Sequence, residues 1–178
     1  MNPTPGTDGG SSTESGAPPP GEGALPDNDY CRPVSAATAA EAALEQQILE
    51  LTNAARARGT TCGDKAYPPV AALTMNPALR CAARAHSKDM IDRKFFDHTN
   101  PSGEGPPQRV AKTGYMARNW GENIAAGNSA AMATMEQWLT STGHCQNLMS
   151  GSFKQIGVGY RPGGSYRHYW TQVFGTAR

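Results

Sequence analysis

The sequence predicts an α+β domain, with helices packed on a small sheet, preceded by a disordered tail. Three observations carry that expectation. Apolar residues recur at helical spacing in several stretches between residues 38 and 139. After residue 155 the period changes to two, as a half-buried strand requires. Residues 1–29 consist largely of Pro, Gly, Ser, Thr and acids, with Leu25 the one large aliphatic after Met1. Such a segment cannot bury enough apolar surface to offset the entropy of ordering it, so residues 1–29 are expected to be a linker and 30–178 the domain.

Each element has a local reason. Thr38 to Arg58 reads as a helix: Leu44, Ile48, Leu51 and Ala55 fall on one face, and Gly59 stops it. The second helix opens with Asn76 as N-cap and Pro77 in the first helical position. Leu79, Ala82, Ala83, His86, Met90 and Ile91 form its apolar face. Residues 99–108 are a Pro/Gly-rich loop. A short helix is expected over 107–112 and another over 130–139, with Met132, Met135 and Trp138 inward. Ile156, Val158 and Tyr160 then alternate, Gly163–Gly164 signals a turn, and 165–174 is rich in aromatic and β-branched residues. The two runs predict an antiparallel hairpin, with Tyr166, His168, Trp170, Gln172 and Phe174 on one face and Arg167, Tyr169, Thr171 and Val173 on the other.

Charge excludes some partners. The formal net charge of +1 hides an asymmetry: residues 1–29 carry five acids and no base, leaving 16 basic against 10 acidic residues in the remainder. The bases are scattered and are not interleaved with aromatics, so no nucleic-acid partner is expected. No apolar run approaches the ~20 residues of a membrane helix. The first residues, MNPTPGTDGG, lack the apolar segment of a secretion signal, which leaves a cytosolic protein or an exported one whose signal has been removed.

The cysteines favour export. Cys31, Cys62, Cys81 and Cys145 contain no CxxC, and an even count in a small Gly/Pro-rich chain is the extracytoplasmic pattern. Three pairings are possible. We favour Cys62–Cys81, which closes a short loop between two predicted helices, and Cys31–Cys145, which ties the start of the domain to the segment around His144. Four buried free thiols are the alternative.

The chain lacks HExxH, GxSxG, SxxK, GxxxxGK[ST] and EF-hand patterns. What remains is a set of His and Glu residues at element ends or in loops: His98 in FFDHTN, Glu122 in WGENIAAG and His144 in WLTSTGHCQNLM. Two imidazoles and one carboxylate suit a divalent cation. The plainer reading is that Glu122 pairs with a protonated His for structure alone. His86, on an apolar helix face, reads as a core histidine.

The segments AARAHSKDM, FFDHTNPSG, WGENIAAG, EQWLTSTGHCQNLM, QIGVGY and HYWTQVFG occur in the order seen in bacterial proteins of the CAP superfamily, the cysteine-rich secretory, antigen-5 and pathogenesis-related group, which this chain resembles over roughly residues 40–175. The resemblance implies a three-layer α–β–α sandwich with a small antiparallel sheet, and a cleft lined by His and Glu in which some members hold zinc. It maps His98, Glu122 and His144 onto that cleft. It also marks two departures from the eukaryotic tetrad: Ser141 stands where a second Glu is found, and Tyr169 where a second His is found. His168 is one residue off, on the other face of its strand. Three ligands rather than four are therefore expected, with Ser141, Tyr169 and His168 as weaker cleft candidates.

Two functions follow. One is a secreted or envelope-tethered binding module for a lipid, envelope polymer or protein. The other is a zinc-assisted hydrolase using the same three residues, for which no general base is identifiable; Glu104 and Glu136 are candidates that nothing places in the cleft.

Overall fold

The computed structural model describes residues 23–178. Residues 1–22, the greater part of the expected linker, lie outside the described residues. Within 23–29, Gly23 approaches Pro77, and Leu25 packs beside Cys31 and Val34.

Five helices and six strands follow in order. Helix α1 (Ala39–Arg58) begins with a reciprocal cap: the Thr38 hydroxyl accepts from the Glu41 amide, and the Glu41 carboxylate accepts from the Thr38 amide. A hairpin of β1 (Thr60–Cys62) and β2 (Lys65–Tyr67) and the two-residue β3 (Thr74–Met75) lead to α2 (Pro77–Asp92). Asn76 caps α2 through the amides of Ala78 and Leu79, as its sequence punctuation predicts. Then come α3 (Pro106–Lys112), β4 (Ala117–Ala126), α4 (Ala131–Thr140), α5 (Thr142–Leu148), β5 (Gln155–Pro162) and β6 (His168–Ala177).

The main sheet has the order β3-β5-β6-β4, antiparallel except for the short β3–β5 pair. Helices α1, α4 and α5 cover one face, where Ile48, Met135, Trp138, Leu148, Ile156, Trp170 and Phe174 form the largest cluster. Helices α2 and α3 cover the other, against Val173, Ile124 and Tyr169. This is the expected three-layer α–β–α sandwich. The β5–β6 hairpin has both expected faces: Trp170 and Phe174 point into one layer, Tyr169 and Val173 into the other.

Two glycines let α2 lie against β5. Gly157 and Gly159 have no Cβ, and one built there would fall 2.0 Å from the Leu79 carbonyl carbon and 2.3 Å from that of Ala83. Beyond the two residues of β3, the outer edge of β5 is closed by side chains. Glu45, fully buried on α1, accepts from the Tyr160 amide at 3.1 Å and from Arg84 Nη2 at 2.6 Å, with Arg80 Nε 3.4 Å away. A buried carboxylate is tolerable only with such partners, and here it also satisfies an edge amide.

The cysteine pairing differs from the expectation. The bridges are Cys31–Cys81 and Cys62–Cys145, each with Cα atoms 5.5 Å apart. Cys31 and Cys81 share a cluster with Val34 on the α2 side, and Cys62 and Cys145 one with Met149 beside α5. Each bridge stays within one outer layer. The favoured Cys62–Cys81 pair would have to cross the sheet, which sequence distance cannot reveal.

Strand β4 and helix α5 were not expected. ARNWGENIAA is poor in β-branched residues, yet β4 pairs with β6 from Asn119–Thr176 to Ala126–Tyr169. Partner strands and burial override propensity there.

Candidate functional site

Glu122 is the centre of the site, and it lies in mid-strand rather than in a loop. Along β4 it faces the α2–α3 layer, where its side chain is 1% exposed. Three cationic or potentially cationic groups converge on it. Arg109, from α3, donates through Nη2 to Oε2 at 2.8 Å and to Oε1 at 3.0 Å. His98, just past α2, places Nδ1 2.8 Å from Oε1. His86, fully buried on α2, has Nε2 3.8 Å from the same oxygen, beyond hydrogen-bond distance.

Arg109 also holds the loop that carries His98. Its Nη2 donates to the His98 carbonyl and its Nη1 to the Glu104 carbonyl, both at 2.8 Å. The same guanidinium therefore fixes the carboxylate and the backbone of the histidine that meets it. With Nδ1 on Glu122, the half-exposed His98 ring (47%) presents Nε2 away from the carboxylate, with no protein partner among the described residues.

His144 sits on α5. Helix and strand are joined by a buried polar chain. Asn147 Nδ2 donates to the Glu122 carbonyl at 3.1 Å and to Asn123 Oδ1 at 2.9 Å. Asn123 donates in turn to the His144 carbonyl and to Gln172, and Gln172 donates to Thr52 on α1. His144 Nδ1 is buried without a hydrogen-bond partner.

The protonation states follow from these surroundings. The Glu122 hydrogen bond holds the His98 pKa above the ordinary histidine value, against partial burial. Burial would raise the Glu122 pKa, but the bond to His98 and the fields of His86 and Arg109 outweigh it, so the carboxyl lies below its usual range. Burial lowers His144, and the charge of nearby His98 lowers it further. Burial pushes His86 down to about 4 despite the attraction of Glu122.

His86 makes the fold acid-sensitive. Its folded pKa is depressed, so its contribution to stability is present above about pH 6.5 and is lost as pH falls toward about 4. The difference corresponds to roughly 3 kcal/mol. His98 has the opposite sign: its contribution is present below about pH 6.5 and fades as pH rises through its raised pKa. Urea melts at pH 7 and pH 4.5 should show His86→Phe losing markedly less stability on acidification than the parent. Equal losses in both proteins would assign the acid sensitivity elsewhere.

At Glu122 the expected three-ligand set meets competing partners. Both Glu122 oxygens are engaged by Arg109 and His98, and a guanidinium at 2.8 Å opposes a cation on that carboxylate. Among the described residues no group of three or more His, Cys, Asp or Glu side chains converges to hold a metal.

Among the described residues, the weaker candidates make no hydrogen bond to the side chains of His98, Glu122 or His144. Tyr169 is 2% exposed, packs with Met90 and Ile124, and pairs with Ala126, four residues along β4 from Glu122. His168 bonds the Tyr160 hydroxyl through Nδ1 at 2.8 Å, away from the site. Ser141 starts α5 and makes no side-chain bond to His144 or to the helix amides. Arg109, Asn147 and Asn123 were missed. Asn147 had a signal: it lies three residues after His144, on the same face of a helix. Arg109 had none, because nothing in PPQRVAK distinguishes a buried arginine from a solvated one.

Comparison with known proteins gives four results. A family model described as the cysteine-rich secretory protein family, CAP, matches residues 49–174. The uncharacterized protein YkwD of Bacillus subtilis (strain 168) is 34% identical over 140 residues, covering 79% of this chain and 50% of the relative. A solved extracellular protein containing a SCP domain, from Bacillus anthracis str. Ames, superposes with a TM-score of 0.64 at 32% identity, covering 76% of this chain and 41% of that one. An outer surface protein from Borrelia burgdorferi superposes with a TM-score of 0.62 at 19% identity, covering 78% and 93% respectively, which shows the shared fold alone. This chain thus spans about half the length of the curated relative it matches.

Proposed function

Because this chain belongs to the cysteine-rich secretory protein (CAP) family, we propose that it is an extracytoplasmic binding module whose recognition element is the His98 imidazole, held by Glu122 and Arg109. One observation carries this reading: Glu122 is engaged by Arg109 and His98, while the half-exposed His98 ring offers its remaining nitrogen outward. A buried carboxylate that fixes an imidazole sets its orientation and favours its charged form. Such a group recognises an anionic or hydrogen-bond-accepting feature of a ligand. His144 is close enough to feel the charge on His98. The two disulfides, together with a similar protein described as extracellular, support an extracytoplasmic setting.

Hydrolysis assisted by a metal on His98, Glu122 and His144 finds no support in this arrangement, since Glu122 would first have to give up Arg109 or His98.

The test follows the imidazole resonances of His98 and His144 by NMR. Soluble peptidoglycan fragments, a short-chain lipid and Zn²⁺ are titrated separately. The peptidoglycan fragments or the lipid should shift His98 at submillimolar concentration, and His98→Ala should weaken that binding about tenfold or more, the size of one charge-assisted hydrogen bond; a shift by Zn²⁺ alone would replace this reading with metal ligation. If no probe moves His98, the site loses its role. Cleavage of the fragments that disappears in His98→Ala would replace the module with an enzyme.

A further inference from the structure

We propose that the groove between α3 and the first half of β4 docks on the surface of an anionic phospholipid bilayer. This surface is separate from the His98 hollow and goes beyond the function assigned to it.

The groove has a volume of about 550 Å³. Val110, Tyr115, Met116 and Trp120 supply apolar lining, and Arg118 and Arg178 supply charge; no acidic side chain lines it. Met116 is 66% exposed and Trp120 47%, two of the few large hydrophobic side chains left open among the described residues. Arg118, at the register irregularity between Ala117 and Asn119, and Trp120 are both exposed and both line the groove. Arg178 is held beside them: its amide donates to the Met116 carbonyl at 3.0 Å and its Nε to the Ala117 carbonyl at 3.3 Å. The patch therefore combines an adaptable thioether, an indole and two guanidiniums where the start of β4 meets the end of β6.

That combination matches a bilayer interface. Indole rings favour the level of the headgroups, where the ring is apolar and its N–H is wet. Methionine fits irregular apolar surfaces. Guanidiniums pair with phosphate oxygens and are drawn to anionic lipid. Met116 and Trp120 are open rather than enclosed, with Val110 and Tyr115 buried beneath them, which favours contact with an extended surface over engulfment of a single molecule.

The tryptophans provide the readout. The chain has 3, and Trp138 and Trp170 are fully buried, so a change in emission on binding reports Trp120. Vesicles of phosphatidylglycerol mixed with phosphatidylcholine should bind the protein, blue-shift its emission and, when brominated lipid is included, quench it. Pure phosphatidylcholine vesicles should bind far less. The double variant Arg118→Glu/Arg178→Glu should lower the partition coefficient at least about tenfold. Trp120→Ala should remove the blue shift, and raising the salt should weaken the parent's binding. The His98 imidazole titration is read independently of vesicle binding, so failure here leaves the reading of the His98 site standing.

Four results would overturn the proposal: no preference of the parent for anionic vesicles; unchanged binding by the charge-reversed double variant; binding with unshifted Trp120 emission, which assigns the contact to another face; or self-association in the absence of lipid that Trp120→Ala abolishes, which assigns the groove to a second copy of the chain.

Discussion

Replacing Arg109 by methionine is expected to destabilise the domain by about 3–5 kcal/mol, the usual effect of removing one partner of a buried ion pair. Arg109 is 2% exposed and makes four hydrogen bonds: two to the Glu122 carboxylate and one each to the His98 and Glu104 carbonyls. Methionine keeps the length and apolar stem but leaves Glu122 buried beside two histidines. The carboxyl pKa should rise, and the His98 loop should lose its anchor. The cycle with Glu122→Met separates these effects. If the pair is coupled, the double variant will be more stable than the sum of the single losses by 1 kcal/mol or more, on the scale of roughly 0.5–3 kcal/mol for neighbouring residues. Urea denaturation measures the stability, and the His98 imidazole resonance measures the site. A loss below about 1 kcal/mol for Arg109→Met would mean that water replaces the guanidinium freely and that the site is less enclosed than its burial indicates.

Alanine at Gly157 or Gly159 is expected to be at least as damaging. The added methyl would meet main-chain atoms of α2 at 2.0–2.3 Å. No rotamer change relieves a clash with backbone, so α2 would have to lift from the sheet. A cost above about 4 kcal/mol, or failure to fold, is the expected outcome. The site should suffer with the fold, because α2 carries His86 and leads directly into the His98 loop. Gly143→Ala is the internal control. It lies within helix α5 with nothing within 4 Å of the added methyl, so it should be neutral or stabilising by up to about 1 kcal/mol. Thermal melts of the three variants decide the matter. A Gly159→Ala protein melting within a few degrees of the parent would show that α2 is not locked against β5 as described.

The elements legible in the sequence are those with local causes. Asn76–Pro77, Thr38 with Glu41, and Gly59 act over a few residues, so the α1 and α2 boundaries were readable. The period-two run of Ile156, Val158 and Tyr160 and the turn at Gly163–Gly164 announced the hairpin for the same reason. Strand β4 was not readable because its reason for being extended is β6, about 50 residues away in sequence. The short helix α5 is likewise held by contacts with β4, notably those of Asn147 and Asn123.

Residue order was enough to read off the family, the helix caps, the hairpin and the identity of the histidines and the glutamate. What those side chains do to one another was settled by folding in three dimensions. Packing turned Glu122 into a buried anchor by bringing Arg109 from α3 beside it. It also paired the cysteines within layers, because the sheet separates residues that a linear reading places together. The physical reason is common to both: the stability of a buried charge or a crosslink depends on distances across layers, and the chain order of the residues carries no information about those distances.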